Sequence, residues 1–262
     1  MENRTEKNSY TVIFAIVMVV VVGSLLAYTA SALGGRIDEN KRLEKQQNIL
    51  YAMGVNDNDE TSAVFISPKE TPAAFEANII DQLVLTVQDG EIIKEQTREE
   101  YMAEFGEEPY LIDVKKQQSN ARDGKPRLLP LFVGERDGSR VYIAPIYGKG
   151  LWNAIWAYVG LDENMVIQGI YFDHLNETPG LGANIKARFF MDDFEGEHLM
   201  DSNGDFKGVT VAKGNADPKN DRKTDFKVDA LAGATITGDG VTAMIKSDLR
   251  LYVPFFQNLK NK

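Results

Sequence analysis

From Asn8 to Gly35 the chain carries no charged side chain, and the run V-I-F-A-I-V-M-V-V-V-V-G-S-L-L from Val12 to Leu26 would be apolar on every side of a helix. A helix without a polar face is one surrounded by lipid tails rather than resting on a core. Thr11 to Leu33 would extend about 35 Å at about 1.5 Å per residue, enough for a hydrocarbon core of roughly 30 Å. Tyr10 and Tyr28 stand near its ends, where aromatic belts form. The pattern predicts a tail over 1–9 and a transmembrane helix over 10–33. A cleaved signal peptide is the competing reading, because Ala30-Ser31-Ala32 follows the apolar run as small-x-small. Glu2 and Glu6 offset Arg4 and Lys7, however, and the run is long for a signal, so a retained anchor is favoured.

Beyond the anchor, Ile37 to Met53 is charged, free of Gly and Pro, and apolar at Leu43, Ile49, Leu50 and Met53. This predicts a juxtamembrane helix ending near Gly54, followed by a turn at Asn56 to Glu60, so that 34–60 forms a connector and 61–262 the main domain. Two hairpins are predicted there. Leu83 to Val87 is followed by Asp89-Gly90 and E-I-I, and Leu131 to Val133 by Asp137-Gly138 and V-Y-I-A-P-I-Y. Ala154 to Leu161 and Met165 to Phe172 flank a short Asp162-Glu163-Asn164 turn and read as a third strand pair. Helical spacing returns at Ile185 to Phe194, and again from Gly240 to about Val253 before Pro254 ends or kinks the element. Asp201 to Thr224 reads as an excursion around F-K-G-V-T-V. Strand runs segregated from helix runs indicate an α+β domain, an antiparallel sheet with helices, rather than a doubly wound parallel sheet.

Composition then narrows the chemistry. A formal charge of −10 argues against nucleic-acid binding, which needs a positive surface. With no Cys and only two His, the chain cannot by itself build a thiolate cluster, a Cys-rich zinc site, a disulfide framework or a Cys nucleophile. No metal site is read from the sequence. Arg36, Lys41, Arg42 and Lys45 outnumber Arg4 and Lys7, which by the positive-inside count keeps the large domain cytoplasmic, although long domains translocate largely regardless of charge.

Three segments are candidates for function. D-A-L-A-G-A-T-I-T, Asp229 to Thr237, reads as a strand end, a small-residue turn and a helix start. Such a helix start presents unpaired N–H groups to an anion, with Gly233 and Ala234 allowing close approach and Thr235 supplying a hydroxyl. Equally, Thr235 or Thr237 could simply cap the helix. H-L-N-E-T-P-G-L-G, His174 to Gly182, combines a rigid Pro179 with Gly180 and Gly182 and could lie against a flat ligand, or could be only a tight turn. Y-G-K-G-L-W, Tyr147 to Trp152, is read as opening a strand on which Trp152 and Trp156 share a face, as core side chains commonly do.

In this order, G-K-G-L-W, E-T-P-G-L-G and D-A-L-A-G-A-T behind one N-terminal span resemble the FMN-binding C subunit of the sodium-translocating NADH:quinone oxidoreductase, over nearly the whole chain. In that family the Thr closing D-x-x-[ST]-G-A-T carries FMN through a phosphoester. The resemblance implies attachment at Thr235, with Thr237 as the fallback. Ala232 departs from the family pattern, which has Ser or Thr there. The resemblance further implies that Gly233, Ala234, Thr237, Glu177, Thr178, Leu181, Gly182 and His174 surround the flavin, and that Asp229 is recognised during flavinylation. It implies other subunits of the complex, a flavin transferase and membrane lipid as partners. The location implied is a bacterial inner membrane with the FMN domain periplasmic, against the charge count. Electrons would pass between a neighbouring iron centre and a second covalent FMN, with sodium pumping elsewhere. Two other readings are the homologous G subunit of the ferredoxin-dependent ion-translocating complex, which shares two of the motifs, and a flavin-free anchored scaffold.

Overall fold

The computed structural model describes residues 8–260; the tail charges Glu2, Arg4, Glu6 and Lys7 lie outside the described residues. One helix, α1 (Asn8–Met53), contains both the apolar and the charged stretch without interruption. Gly34 and Gly35 weaken a helix by only about 1 kcal/mol each, and no Pro stands between the two stretches. Gly54, at φ +92°, ends α1 in the left-handed conformation, its N–H bonding the Tyr51 carbonyl at 2.9 Å. The chain divides between Glu44 and Lys45 into two compact units. The first is a helix long and apolar enough to cross a membrane, with a window of mean hydropathy 2.6 that is nowhere buried.

The second unit begins with the last turns of α1, where Asn48 to Met53 are buried. It continues through α2 (Thr71–Asn78), α3 (Arg98–Phe105) and α4 (Val114–Arg122). Periodicity predicts none of these three, because two turns are too few to show a stripe. Their start signals are nonetheless present. Pro72 opens α2, Thr97 and Glu100 form a reciprocal capping box on α3, and Asp113 accepts from the Lys116 N–H at the start of α4.

All three predicted strand pairs form. β1 (Ile79–Gln88) pairs with β2 (Glu91–Thr97), β3 (Arg127–Arg136) with β4 (Ser139–Lys149), and β5 (Ala154–Leu161) with β6 (Ile167–His174). Both Asp-Gly turns place both residues at positive φ, 53° and 85° at Asp89-Gly90, and 53° and 76° at Asp137-Gly138, as two-residue hairpins require. The pairs join into one antiparallel sheet in the order β2-β1-β3-β4-β5-β6, with Leu85 opposite Leu129 and Ile146 opposite Ala157 at the joins.

Both faces of this sheet are covered. A Cβ on Gly160 would run into the Ala52 carbonyl at the end of α1, whereas one on Gly148 would meet Met244 Cβ at 2.7 Å on the opposite face. Met244 belongs to α6 (Thr235–Asp248), which with α7 (Val253–Leu259) covers that second face. Tyr142 packs there on Phe255 and Phe256. Double coverage explains why β4 and β5 read as nearly continuous apolar runs rather than clean alternation.

Between β6 and α6 lie α5 (Arg188–Met191), β7 (Thr210–Val211) and β8 (Lys227–Val228), the last two paired in parallel. The helical stretch expected over Ile185 to Phe194 is three short pieces, 3-10 turns at Gly182–Lys186 and Asp192–Phe194 flanking α5. The final helix starts at Thr235 rather than Gly240, because its first turns are Thr and Gly, poor helix formers that periodicity skips but tertiary contacts hold. Pro254 does not kink it. A 3-10 turn over Leu249–Tyr252 follows α6, and Pro254 opens α7 as a first-turn proline.

Glu197, after the second of these 3-10 turns, is fully buried with neither carboxylate oxygen hydrogen-bonded. Burial pushes its carboxyl up from 4.5 to about 7, against the opposing pull of Lys223. The folded state then holds a proton there that the unfolded state releases, so stability from this group is full below pH 4.5 and is lost as pH rises through about 7. Glu197→Gln is expected to flatten that loss. Melting temperatures of the two proteins converging toward pH 4.5 and separating above it would show this, and parallel curves would refute it.

Candidate functional site

All three candidate segments meet at one carboxylate. Glu177 is 4% exposed. Its Oε1 accepts the backbone N–H groups of Trp152 at 2.9 Å and Asn153 at 3.3 Å, and its Oε2 accepts the Thr237 hydroxyl at 2.7 Å. Burial alone would raise the Glu177 carboxyl. The Thr237 hydroxyl and the N–H groups of Trp152, Asn153 and Leu151 outweigh burial and hold it below the usual range, so it is ionised. His174, the last residue of β6, supports it from the backbone side: its Nδ1 accepts the Glu177 N–H at 3.2 Å. Burial lowers the His174 pKa, against the pull of Asp173, which keeps the ring neutral and Nδ1 available as an acceptor.

The loops are packed closely enough to exclude side chains. A Cβ on Gly182 would lie 2.5 Å from Glu177 Oε2 and 2.6 Å from Thr237 Oγ1, and one on Gly233 would lie 2.7 Å from Leu181 Cδ2. Gly233 is also at φ +68°, where an L side chain is strained. Thus E-T-P-G-L-G forms a wall directly against the turn that leads into α6.

That turn leaves its helix N-terminus open. Ala234 is the N-cap residue, with no side-chain cap and no acidic residue in the first turn, so the first N–H groups of α6 have no capping side chain at the positive end of the dipole. Neither Thr caps the helix. Thr235 is its first residue and exposed, whereas Thr237 is 1% exposed and committed to Glu177. Around this end stand the exposed side chains of Leu181, at 41%, and Trp152, at 63%.

Trp152 corrects the sequence reading. Tyr147 to Lys149 close β4, and Gly150 to Asn153 form the turn into β5, closed by a 2.8 Å bond from Gly150 N–H to the Asn153 carbonyl. Trp152 therefore shares no strand face with Trp156, and its indole N–H reaches the Thr178 hydroxyl at 3.0 Å. The turn breaks the period-2 alternation on which that expectation rests. Asp229 is not joined to the Thr235 turn by any hydrogen bond among the described residues. Its Oδ1 instead accepts the N–H groups of Ala216 and Asp217 at 3.0 and 3.1 Å, and its Oδ2 is buried without a partner.

The FMN-binding domain family matches residues 150–250, a span that opens at Gly150 and encloses every residue of this cluster. The C subunit of a Na(+)-translocating NADH-quinone reductase from Yersinia pestis is 30% identical over 241 residues, covering 88% of this chain and 84% of the relative. The chain belongs to this family of C subunits. A relative of the same name from Neisseria meningitidis serogroup A is 26% identical over 270 residues, covering 100% and 98%. The crystal structure of the Na(+)-translocating NADH-quinone reductase C subunit from Parabacteroides distasonis superposes with a TM-score of 0.65 at 29% identity, covering 86% of this chain and 96% of that one. Shewanella oneidensis NqrC shares the fold, with a TM-score of 0.60 at 23% identity and coverage of 85% and 99%. Membership makes this chain a component of an oxidoreductase, with an FMN-binding domain over residues 150–250.

The residues present fit a phosphate-bearing flavin. An open helix end receives a phosphate, two glycine positions leave no room for side chains beside it, and Leu181 and Trp152 offer apolar surface for a ring system.

Proposed function

We propose that this chain is the electron-transfer subunit of a sodium-translocating NADH:quinone oxidoreductase and carries FMN through a phosphoester on Thr235. The observation that carries the attachment site is the contrast at the start of α6. Thr235 is exposed beside the open N–H groups, and Thr237 is buried with its hydroxyl donated to Glu177. The flavin supplies reversible uptake and release of electrons. The chain's own residues bind and orient it: the first N–H groups of α6 meet the phosphate, Gly233 and Ala234 let it approach, and Thr178, Leu181 and Gly182 form the facing wall. Glu177 and His174 fix that wall against α6. A tether through Thr needs neither Cys nor His, which agrees with a chain that has no Cys. Asp229, by pinning the loop at Ala216 and Asp217, would shape the surface that a flavin transferase recognises.

α1 would anchor the chain in the inner membrane beside the other subunits, with the flavin domain on the periplasmic side. The absence of native Cys makes the orientation directly testable. A single Cys placed at exposed Lys186 is expected to react with a membrane-impermeant maleimide in intact spheroplasts; labelling only after lysis would put the domain in the cytoplasm.

The test of the covalent link is a denaturing gel of the chain co-expressed with an active flavin transferase. A band fluorescent under ultraviolet light supports the link. A dark band would refute it and turn attention to Ala232, where the family pattern has a hydroxyl.

A further inference from the structure

Residues 212–226 form a loop whose two ends are tied together. β7 and β8 pair in parallel at its base, where the Thr210 N–H bonds the Phe226 carbonyl and the Ala212 N–H the Val228 carbonyl, each at 2.8 Å. A surface loop closed at its base in this way can lift without unpairing the strands that carry it. Its body is held down at three places. Asn220 Nδ2 donates to the Asp193 carbonyl, the His198 N–H donates to the Lys223 carbonyl at 3.0 Å, and Asp229 Oδ1 accepts the N–H groups of Ala216 and Asp217.

Beneath this loop lie carboxylates that no cation matches. Neither oxygen of the fully buried Glu197 has a hydrogen-bond partner, and Asp229 Oδ2 is buried and equally unpartnered. Asp193, on the same turn as Glu197, is raised by burial first and then by the charge of Asp229, with Asp192 and Asp217 adding to the effect against Lys223. Lys223, Asp225, Asn220 and Asp217 face Glu197, all of them from the loop, and burial outweighs their combined influence. The edge of β6 meets this turn at Val166 and Ile167 and brings no titratable group. A protonated carboxyl is tolerated in such a place, whereas an ionised one without donors or a cation is driven toward water.

We propose that the 212–226 loop is a lid latched by the proton on Glu197, and that loss of this proton lifts the lid and uncovers the Asp229 carboxylate. The proton passes to water, and the freed carboxylate is hydrated as Asn220 and Lys223 leave the 192–198 turn. Access of a flavin transferase to Asp229 then rises with pH, a consequence that rests on the role proposed above for Asp229; the lid itself does not depend on it.

Hydrogen exchange of the full-length chain in detergent, flavin-free and flavin-loaded, tests the latch when amide protection is taken relative to the chemical exchange rate at each pH. The reporters are the amides of His198, Ala216 and Asp217, whose acceptors are lost when the lid lifts. The open carboxyl titrates at 4.5 and the latched one at about 7, so protection should fall about tenfold per pH unit between these values and then level off. The amides of β5 should stay better protected at every pH, because the sheet does not open with the lid. Glu197→Gln should keep the reporters protected throughout, and Asn220→Ala, which removes the tie to the Asp193 carbonyl, should expose them even at about pH 4.5. Wild-type protection that ignores pH, or the same fall in Glu197→Gln, would overturn the latch. So would a fall abolished by His198→Gln, which would assign the titration to the imidazole, or reporters no better exchanged than β5, which would mean global unfolding. Should Glu197→Gln fail to fold, the wild-type and His198→Gln profiles still decide. A dark gel band counts against the flavin tether and leaves these protections unchanged.

Discussion

Thr235→Val is expected to abolish covalently held flavin while leaving the domain folded. The side chain is exposed at the first position of α6 and makes no hydrogen bond among the described residues, so its loss should change stability by no more than about 0.5 kcal/mol. Thr237→Val should do the reverse. Its hydroxyl donates to Glu177 at 2.7 Å in a buried setting, and removing it leaves part of an ionised carboxylate without a donor, at about 1–3 kcal/mol. The flavin should remain attached in that variant. Gel fluorescence and thermal melting of the same preparations separate the two. A fluorescent Thr235→Val band beside a dark, folded Thr237→Val band would exchange the roles assigned to them.

Asp248→Ala is expected to produce the largest loss of stability, about 3–5 kcal/mol. Asp248 is 1% exposed and accepts both terminal nitrogens of Arg127 at 3.1 and 2.9 Å, the Tyr147 N–H at 3.0 Å and the Gln118 amide at 3.1 Å. The end of α6 is thereby tied to β3, β4 and α4 through one carboxylate. Truncating it strands a guanidinium that is itself 6% exposed, and the desolvated charge left behind dominates the loss. Asp248→Leu combined with Arg127→Met should recover much of it, because no buried charge then remains unpaired. Urea unfolding of the single and double variants measures both. A loss below about 1 kcal/mol in Asp248→Ala would show that water reaches Arg127, and the pair would not be a brace.

What can be read from the chain alone is whatever depends on near neighbours. Asp89-Gly90 and Asp137-Gly138 define hairpins because two-residue turns need positive φ at both positions, a local requirement. The uncharged stretch to Gly35 defines a helix fit for a bilayer because length and hydropathy are sums along the chain. The first-turn proline of α2 and the capping box of α3 are equally local, and these helices escape periodicity only because they are short. The order of the three motifs is enough to indicate an FMN-binding domain, and the resemblance they carry points to Thr235, with Thr237 as fallback, as the proposed attachment point.

The tertiary structure decided which groups are free and which are committed. No spacing tells that Glu177 would receive Trp152 from one loop and Thr237 from a helix sixty residues on, and so remove Thr237 from the surface while leaving Thr235 exposed. Burial and partner choice are properties of surfaces brought together by the sheet's two covered faces, which the end of α1 and α6 approach from opposite sides. For the same reason Trp152 left its expected place in the core. A turn closed by Gly150 and Asn153 aimed it outward, over a cleft whose residues come from α4, β4 and α6 and are adjacent only in the folded chain.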